Sequence, residues 1–342
     1  MPAQKSKVTI FDVAKASGVS SSAVSYALNG KPGVSEETRA KVLDIARELG
    51  WKPNGAAQAL AKARTRRIGL VLGYDPKLLA VESYMMELLS GLSAELERHD
   101  YALLLRMAVG RDAKIAIIKD WIATGSVDGL LLLNLEIGDP NVELLKGHPE
   151  MPVLALADPS LTGGLPTLSS DDAGAVDMAM RYLAELGHTR VARVAGPEAL
   201  GHSYIRDAAF SQITAELGIT YRCLHTDYTP ESGAEATKLL LSLTPRPTAI
   251  IYDNDVMALS GLGVATGAGV SVPGELSLMS WDDSFMCTAA YPNITAMGRD
   301  VVGSGRQAAQ LLLKLVDGGE VGCVEESPYQ LRARASTAAP QA

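Results

Sequence analysis

From Arg67 onward the chain repeats one alternation that few folds can satisfy. Short, almost continuously apolar runs occur as "RIGLVLG", "YALLLRM", "VDGLLLLNL", "PVLALAD", "RVARVAG", "TAIIYD" and "LSLMSW". Between most of them lie longer segments such as "SYMMELLSGLSAELERH" and "AGAVDMAMRYLAELG", whose apolar residues return at helical spacing. A strand that is apolar on both sides must be covered on both sides, and a helix between two strands allows a parallel crossover. Parallel sheets covered by helices are therefore expected. About 270 residues of this pattern exceed one doubly wound sheet, so two α/β lobes are expected. Ligands of open α/β sheets sit beyond the strand carboxyl ends, which in a two-lobed body means the cleft between lobes.

The segment before Arg67 follows a different rule. Thr9 can cap a helix over "IFDVAKAS", with Asp12 in the first turns, where the helix dipole favours a carboxylate. Gly18 breaks it, and Ser20 can cap a second helix in "VSSSAVSYALNG", which Gly30 can close. In that second helix Val24, Ala27 and Leu28 make one apolar stripe. Ser21, Ser22, Ser25, Tyr26 and Asn29 are left on the other side, short hydrogen-bonding groups where a surface helix usually carries charge. A third helix, "SEETRAKVLDIARELG", turns Val42, Ile45, Ala46 and Leu49 to one face and ends at Gly50 and Pro53. Two short helices joined by a tight glycine turn are a helix-turn-helix, whose second helix enters the major groove of DNA. Short hydroxyl side chains let a helix lie deep against base edges.

Charge supports this division. Residues 1–67 carry twelve Lys and Arg against five Asp and Glu, a net +7, leaving nineteen against thirty-four, or −15, for the rest. A basic head on an acidic body suits a head that meets a polyanion and a body that does not. Cys223, Cys287 and Cys323 are odd in number and far apart, which fits reduced thiols better than a disulfide framework or a zinc site. No apolar run reaches the length of a membrane span, and "MPAQKSKVTIFDVAKAS" has no apolar signal core.

The stretch "VTIFDVAKASGVSSSAVSYALNGKPGVSEETRAKVLDIARELGWKPNGAAQAL", Val8 to Leu60, resembles without a gap the DNA-binding head of the LacI/GalR family of bacterial transcription repressors. The match includes the D-V-A of helix one, the G-V-S turn, the V-S…L-N of the reading helix and the V-S-x-x-T-R opening of helix three. Tyr26 stands where many members carry arginine. The resemblance implies DNA contacts from Thr9, Ser20, Ser21, Ser22, Ser25, Tyr26 and Asn29. It also implies a hinge in "NGAAQALA" that folds only on operator DNA, with Asn54 and Ala57 at the DNA and Leu60 wedged into the minor groove.

The body resembles the same family's effector domain, which has the periplasmic-binding-protein fold. The implied organisation is a helix-turn-helix head over 1–53, a hinge and linker over 54–66, and an effector domain over 67–338. Its N-lobe would take about 67–163 and 291–325 and its C-lobe about 164–290 and 326–338, with crossings near 163, 291 and 326. Family motifs place Arg206 of "IRDAAF", with Ala209 for the usual glycine, and Asp282 of "SWDDS" on effector hydroxyls or carboxylates. They also place Asn254 of "YDNDVMA", Asp171 of "LSSDDAGA" and Tyr84, which replaces the first aromatic of a usual F-F, at the cleft. Trp281 could add an apolar face for a sugar ring. A lone Asp at a strand end is more often a helix cap than a ligand.

The sequence holds no G-x-S-x-G, H-E-x-x-H or Walker loop, and its five histidines are scattered. Neighbouring acids such as Asp171 and Asp172 point apart and make no catalytic pair, so an enzyme is not expected, nor a metal or cofactor. A transporter-type binding protein would lack the basic head. The expectation is a cytoplasmic homodimeric repressor that binds a palindromic operator and is released by a small, carbohydrate effector. The chain end, "YQLRARASTAAPQA", has no leucine heptad for a helical tetramer.

Overall fold

The computed structural model describes residues 8–28, 30–51, 64–73, 79 and 82–341. The chain divides into two units, residues 1–65 and residues 66–342. In the first, three helices are described: α1 (Ile10–Ser17), α2 (Ser21–Leu28) and α3 (Glu36–Glu48). Thr9 opens α1 with a reciprocal cap: its hydroxyl accepts the Asp12 N–H, while the Asp12 carboxylate accepts the Thr9 N–H at 2.8 Å. Gly18, at φ 71°, supplies the left-handed residue that turns the chain between α1 and α2. The Ser20 hydroxyl then accepts the Ala23 N–H at 3.1 Å. Val13, Val24, Ala27, Val42 and Ala46 form the buried centre of the three helices. Arg39 of α3 donates to the carbonyls of Ala27 and Lys31, satisfying backbone acceptors at the end of α2.

The second unit holds two six-stranded sheets. The strands are β1 (Arg67–Leu72), β2 (Ala102–Met107), β3 (Gly129–Leu132), β4 (Val153–Leu156), β5 (Thr167–Ser169) and β6 (Arg190–Ala195). They continue as β7 (Thr220–His225), β8 (Ala249–Tyr252), β9 (Ser277–Ser280), β10 (Thr295–Gly298), β11 (Cys323–Glu325) and β12 (Gln330–Arg332). The first sheet runs β11-β5-β4-β3-β1-β2 and is parallel throughout. The second runs β12-β10-β9-β8-β6-β7, parallel except that β12 lies antiparallel to β10. Helices between the strands are α4 (Ser83–Arg98), α5 (Arg111–Thr124), α6 (Pro140–Lys146) and α7 (Asp172–Glu185). The later ones are α8 (Gly201–Leu217), α9 (Pro230–Leu241), α10 (Asp255–Gly267), α11 (Phe285–Ala289) and α12 (Val301–Val316).

Two of the expected lobe crossings fall later in the chain. β5 belongs to the first sheet, between β4 and β11, and buries Leu168 in that lobe's core, so the first crossing follows Ser169 rather than residue 163. β10 belongs to the second sheet and buries Ala296 and Met297 there, so the second crossing follows Gly298 rather than residue 291. The third lies between β11 and β12. Arg66 belongs with the body rather than the linker: its N–H donates to Asp128 at 2.9 Å and its carbonyl accepts the Ala102 N–H. The strands not foreseen are short or lie at sheet edges, where a continuous apolar run is not required. His188 buttresses the turn before β6, its ring meeting Thr248 at 2.9 Å and Ser277 at 3.1 Å.

In the first lobe α4 and α12 touch backbone to backbone. A methyl added at Gly91 would lie 1.9 Å from the Val302 carbonyl oxygen, and one at Gly305 would lie 2.3 Å from that of Leu88. Neither obstacle is a flexible side chain, so the helices would have to separate. Gly91→Ala is expected to cost about 1–3 kcal/mol despite alanine's better helix propensity. A urea denaturation midpoint no lower than wild type would show that this contact is not tight.

Candidate functional site

On the head, α2 carries no charged residue. Ser20, Ser22 and Tyr26 are exposed, and Ser21 and Ser25 are half-buried. Thr9 is exposed and its hydroxyl donates to Asp12 at 2.7 Å, so it is engaged in the α1 cap. Ser20 uses an acceptor lone pair on the cap of α2 and keeps its proton for a further partner. Asn29, Asn54, Ala57 and Leu60 lie outside the described residues.

In the body a cavity of about 90 Å³ lies between the lobes, room for about three waters. Glu82, Tyr84, Asn134 and Asp158 line it from the first lobe, and Asp172, His202, Arg206 and Asp282 from the second. Arg299 and Glu326 face it from the second and third crossings. Beneath it runs a chain of buried ion pairs. Arg193 of β6 is fully buried and donates to both oxygens of Asp253, at 2.7 and 2.6 Å, and to Asp207 at 2.5 Å. Arg206 of α8 donates to Asp172 at 2.8 Å and lies 3.7 Å from Asp253. Arg299 pairs with Glu326 at 2.9 Å, and its guanidinium lies over the rings of Tyr84 and Tyr329 at 5.3 and 4.9 Å.

These contacts correct several expectations. Asp171 is exposed and accepts the Gly174 N–H at 2.8 Å, a helix cap; its neighbour Asp172 is the carboxylate that faces the cavity. Trp281 does not line the cavity. It is 1% exposed, lies 4.5 Å beneath the Arg206 guanidinium and donates to the Tyr329 hydroxyl at 3.2 Å. Asn254 borders the cavity, but its amide oxygen caps α10 through the Met257 N–H and its amide nitrogen donates to the Tyr228 carbonyl. Tyr84, Arg206 and Asp282 do line the cavity. Asp172, Arg193, Asp253 and Arg299 were not singled out in the sequence, although "SDD" sets Asp172 beside Asp171 and "YDND" sets Asp253 beside Asn254.

Burial and charge divide the acids. Burial raises the Asp172 carboxyl, yet Arg206 and Arg299 outweigh it and hold it below the ordinary value. Burial likewise opposes Asp253, but Arg193 brings it to about 2. Among the described residues Asp282 forms no ion pair, and burial together with nearby Asp255 lifts its carboxyl well above the usual range. His202, whose Nε2 meets the Tyr228 hydroxyl at 2.8 Å, is lowered to about 4 by burial and by Arg206.

A pH dependence follows. Below about 6.5 the unfolded chain protonates His202 while the folded chain does not, so stability should fall between pH 6.5 and 4 by at most about 3 kcal/mol. Asp253 adds stability above its unfolded value that is lost as pH falls towards 2. His202→Gln should remove the upper part of this loss and leave the lower part. Identical melting curves for variant and wild type from pH 7 to 4 would contradict the assignment.

The pattern "Bacterial regulatory proteins, lacI family" matches residues 9–54, and "Periplasmic binding protein-like domain" matches residues 180–337. The crystal structure of a LacI family transcriptional regulator from Bifidobacterium animalis subsp. lactis is 65% identical, with a TM-score of 0.76 over 81% of this chain and all of that one. The chain belongs to the LacI family. This LacI-family protein, a DNA-binding transcriptional repressor, also aligns with the lac repressor dimer bound to operator and an anti-inducer. There the identity is 25% and the TM-score 0.86, over 97% of this chain and all of that one. The CelR–cellobiose complex is 26% identical, with a TM-score of 0.72, over 96% of this chain and all of that one. These relatives are regulators, not enzymes. No described helix is long and apolar enough to cross a membrane.

Proposed function

We propose that the protein acts as a homodimer on a palindromic operator, and that a carbohydrate bound between the lobes releases it. The observation that carries the reading is the cavity, where hydrogen-bonding side chains of both lobes converge at the chain crossings. Asp282, which forms no ion pair among the described residues, offers a carboxyl group that can exchange hydrogen bonds with hydroxyls, while Arg206 and Arg299 supply donors from positions fixed by their own acids. A relative held in complex with cellobiose supports a sugar, and one held as a dimer on operator supports the assembly. Two identical reading helices address two half-sites related by the dimer axis. A thermal-shift screen against a sugar panel tests the effector, since a ligand of the folded state alone raises its melting point. The same sugar must then dissociate protein from operator; a hit that tightens binding instead would reverse the logic.

The head carries its own test. Ser21, Ser22 and Ser25 are proposed at the base edges, with Thr9, Ser20, Tyr26 and Asn29 beside them and Asn54, Ala57 and Leu60 at the hinge. Replacing Ser21 and Ser22 by larger residues should change the half-site selected from a random DNA library, without altering sugar binding. An unchanged selected motif would refute α2 as the reading helix.

A further inference from the structure

We infer that Asp207, Cys223 and His225 form a binding site for a divalent transition-metal ion of the zinc type. Cys223 and His225 stand two residues apart on β7 and so face the same side, and α8 brings Asp207 to them. The Cys223 Sγ lies 3.8 Å from His225 Nε2 and 3.8 Å from Asp207 Oδ1, and Nε2 lies 3.2 Å from Asp207 Oδ2. A tetrahedral zinc ion, with bonds of about 2.0 Å to N and O and 2.3 Å to S, spaces its ligands about 3.3–3.6 Å apart. Nε2 and Oδ2 are already close to this spacing, and with all the ligand atoms within 4.8 Å of one another a modest side-chain rotation at Cys223 would bring Sγ into range of the same ion.

The surroundings orient the ligands as a metal requires. His225 Nδ1 lies 2.9 Å from the Gly196 carbonyl oxygen, which can only accept, so Nδ1 carries the proton and Nε2 points at the carboxylate and the sulfur. Nε2 faces the Asp207 carboxylate, so a cation, either a second ring proton or a metal ion, stands between them. The other oxygen of Asp207 is held by Arg193. Both the histidine and the carboxylate thus have the outer partner that fixes metal ligands. Within the cluster Arg193 and Arg206 face Asp172, Asp207 and Asp253, leaving one negative charge in excess. The Asp207 and His225 side chains are about a third exposed, which leaves an entry path and room for water as a fourth ligand. Burial holds the Cys223 thiol at about 11, so a bound metal would displace its proton. Spacing in the sequence hides this set, because Asp207 comes from another element than the two strand residues.

The test is titration of the full chain with Co²⁺ as a spectroscopic probe, followed by Zn²⁺ competition. One equivalent per chain should produce a thiolate-to-cobalt charge-transfer band that Zn²⁺ abolishes. Cys223→Ser should lose the band, and His225→Gln should weaken Zn²⁺ binding at least about tenfold. Should Cys223→Ser fail to fold, the His225→Gln affinity carries the test alone. A folded wild-type protein without the band would overturn the proposal, as would a band and affinity unchanged in the variants. The first result would identify His225–Asp207 as a proton-bridged pair, and the second would place the metal elsewhere.

Discussion

Arg206→Ala should leave operator binding nearly intact, abolish release by the effector, and cost the body about 3–5 kcal/mol of stability. Both losses come from one position. Arg206 is 6% exposed, pairs with Asp172 at 2.8 Å and stacks over Trp281, so its removal strands a buried carboxylate and exposes an aromatic face. A ligand shifts the DNA-bound form only by its differential affinity for the two lobe arrangements. Losing the donor that bridges from α8 into the cavity would remove much of that difference. Because lost stability alone could mimic lost response, Asp282→Asn is the separating variant. Asp282 holds no ion pair among the described residues, and burial with nearby Asp255 already disfavours its charge, so the amide should keep or raise stability. Effector affinity should still fall by about 0.5–1.5 kcal/mol, the worth of a hydrogen bond between neutral groups. Calorimetric titration of each variant, beside melting and operator-release assays, separates the effects. Undiminished release from the Arg206→Ala protein would remove this cavity from consideration.

Six of the seven apolar runs became interior strands, and the seventh, β2, lies at a sheet edge and is only partly buried; the force that placed the six is local, because a strand covered on both faces cannot be polar. The head was legible for a similar reason, since caps at Thr9 and Ser20 and the turn at Gly18 are settled within a few residues. The cleft was only half legible. A motif could say that an acid stands at the start of α7, but not which of Asp171 and Asp172 turns outward to cap and which turns inward to Arg206. That depends on the helix phase relative to the second lobe. Arg299 is not legible because the second crossing falls after Gly298 and not near residue 291, and residues at a crossing are assigned by sheet membership, which β10 takes through long-range pairing. Arg193 lay inside an apolar run, where an arginine reads as a strand-edge charge. Its partners are 60 and 14 residues away, so only the fold reveals that it is fully buried.

Arg193→Met should therefore be among the most damaging single changes to the body, costing about 3–5 kcal/mol. The side chain touches neither the cavity nor solvent; it donates twice to Asp253 and once to Asp207, and its guanidinium lies 4.9 Å over the Phe210 ring. Methionine fills most of the volume, so the loss measures the charge rather than a void. Without Arg193, Asp253 keeps the Gly196 N–H at 3.2 Å and a more distant Arg206, too little to hold a fully buried carboxylate ionised. Adding Asp253→Asn to the variant should recover a large part of the loss, because a neutral amide needs no cation. The pH response supplies a second sign. In the wild type Asp253, held at about 2, contributes stability that acid removes. In Arg193→Met burial would act unopposed by Arg193 and raise the carboxyl above its unfolded value. Its contribution would then be favourable at low pH and be lost as pH rises through the carboxylate range. Urea denaturation at pH 7 and pH 4.5 should show the gap between wild type and Arg193→Met narrowing in acid. A gap that widens, or a double variant no more stable than the single one, would mean that Arg193 is held by packing alone and not by the carboxylate it grips.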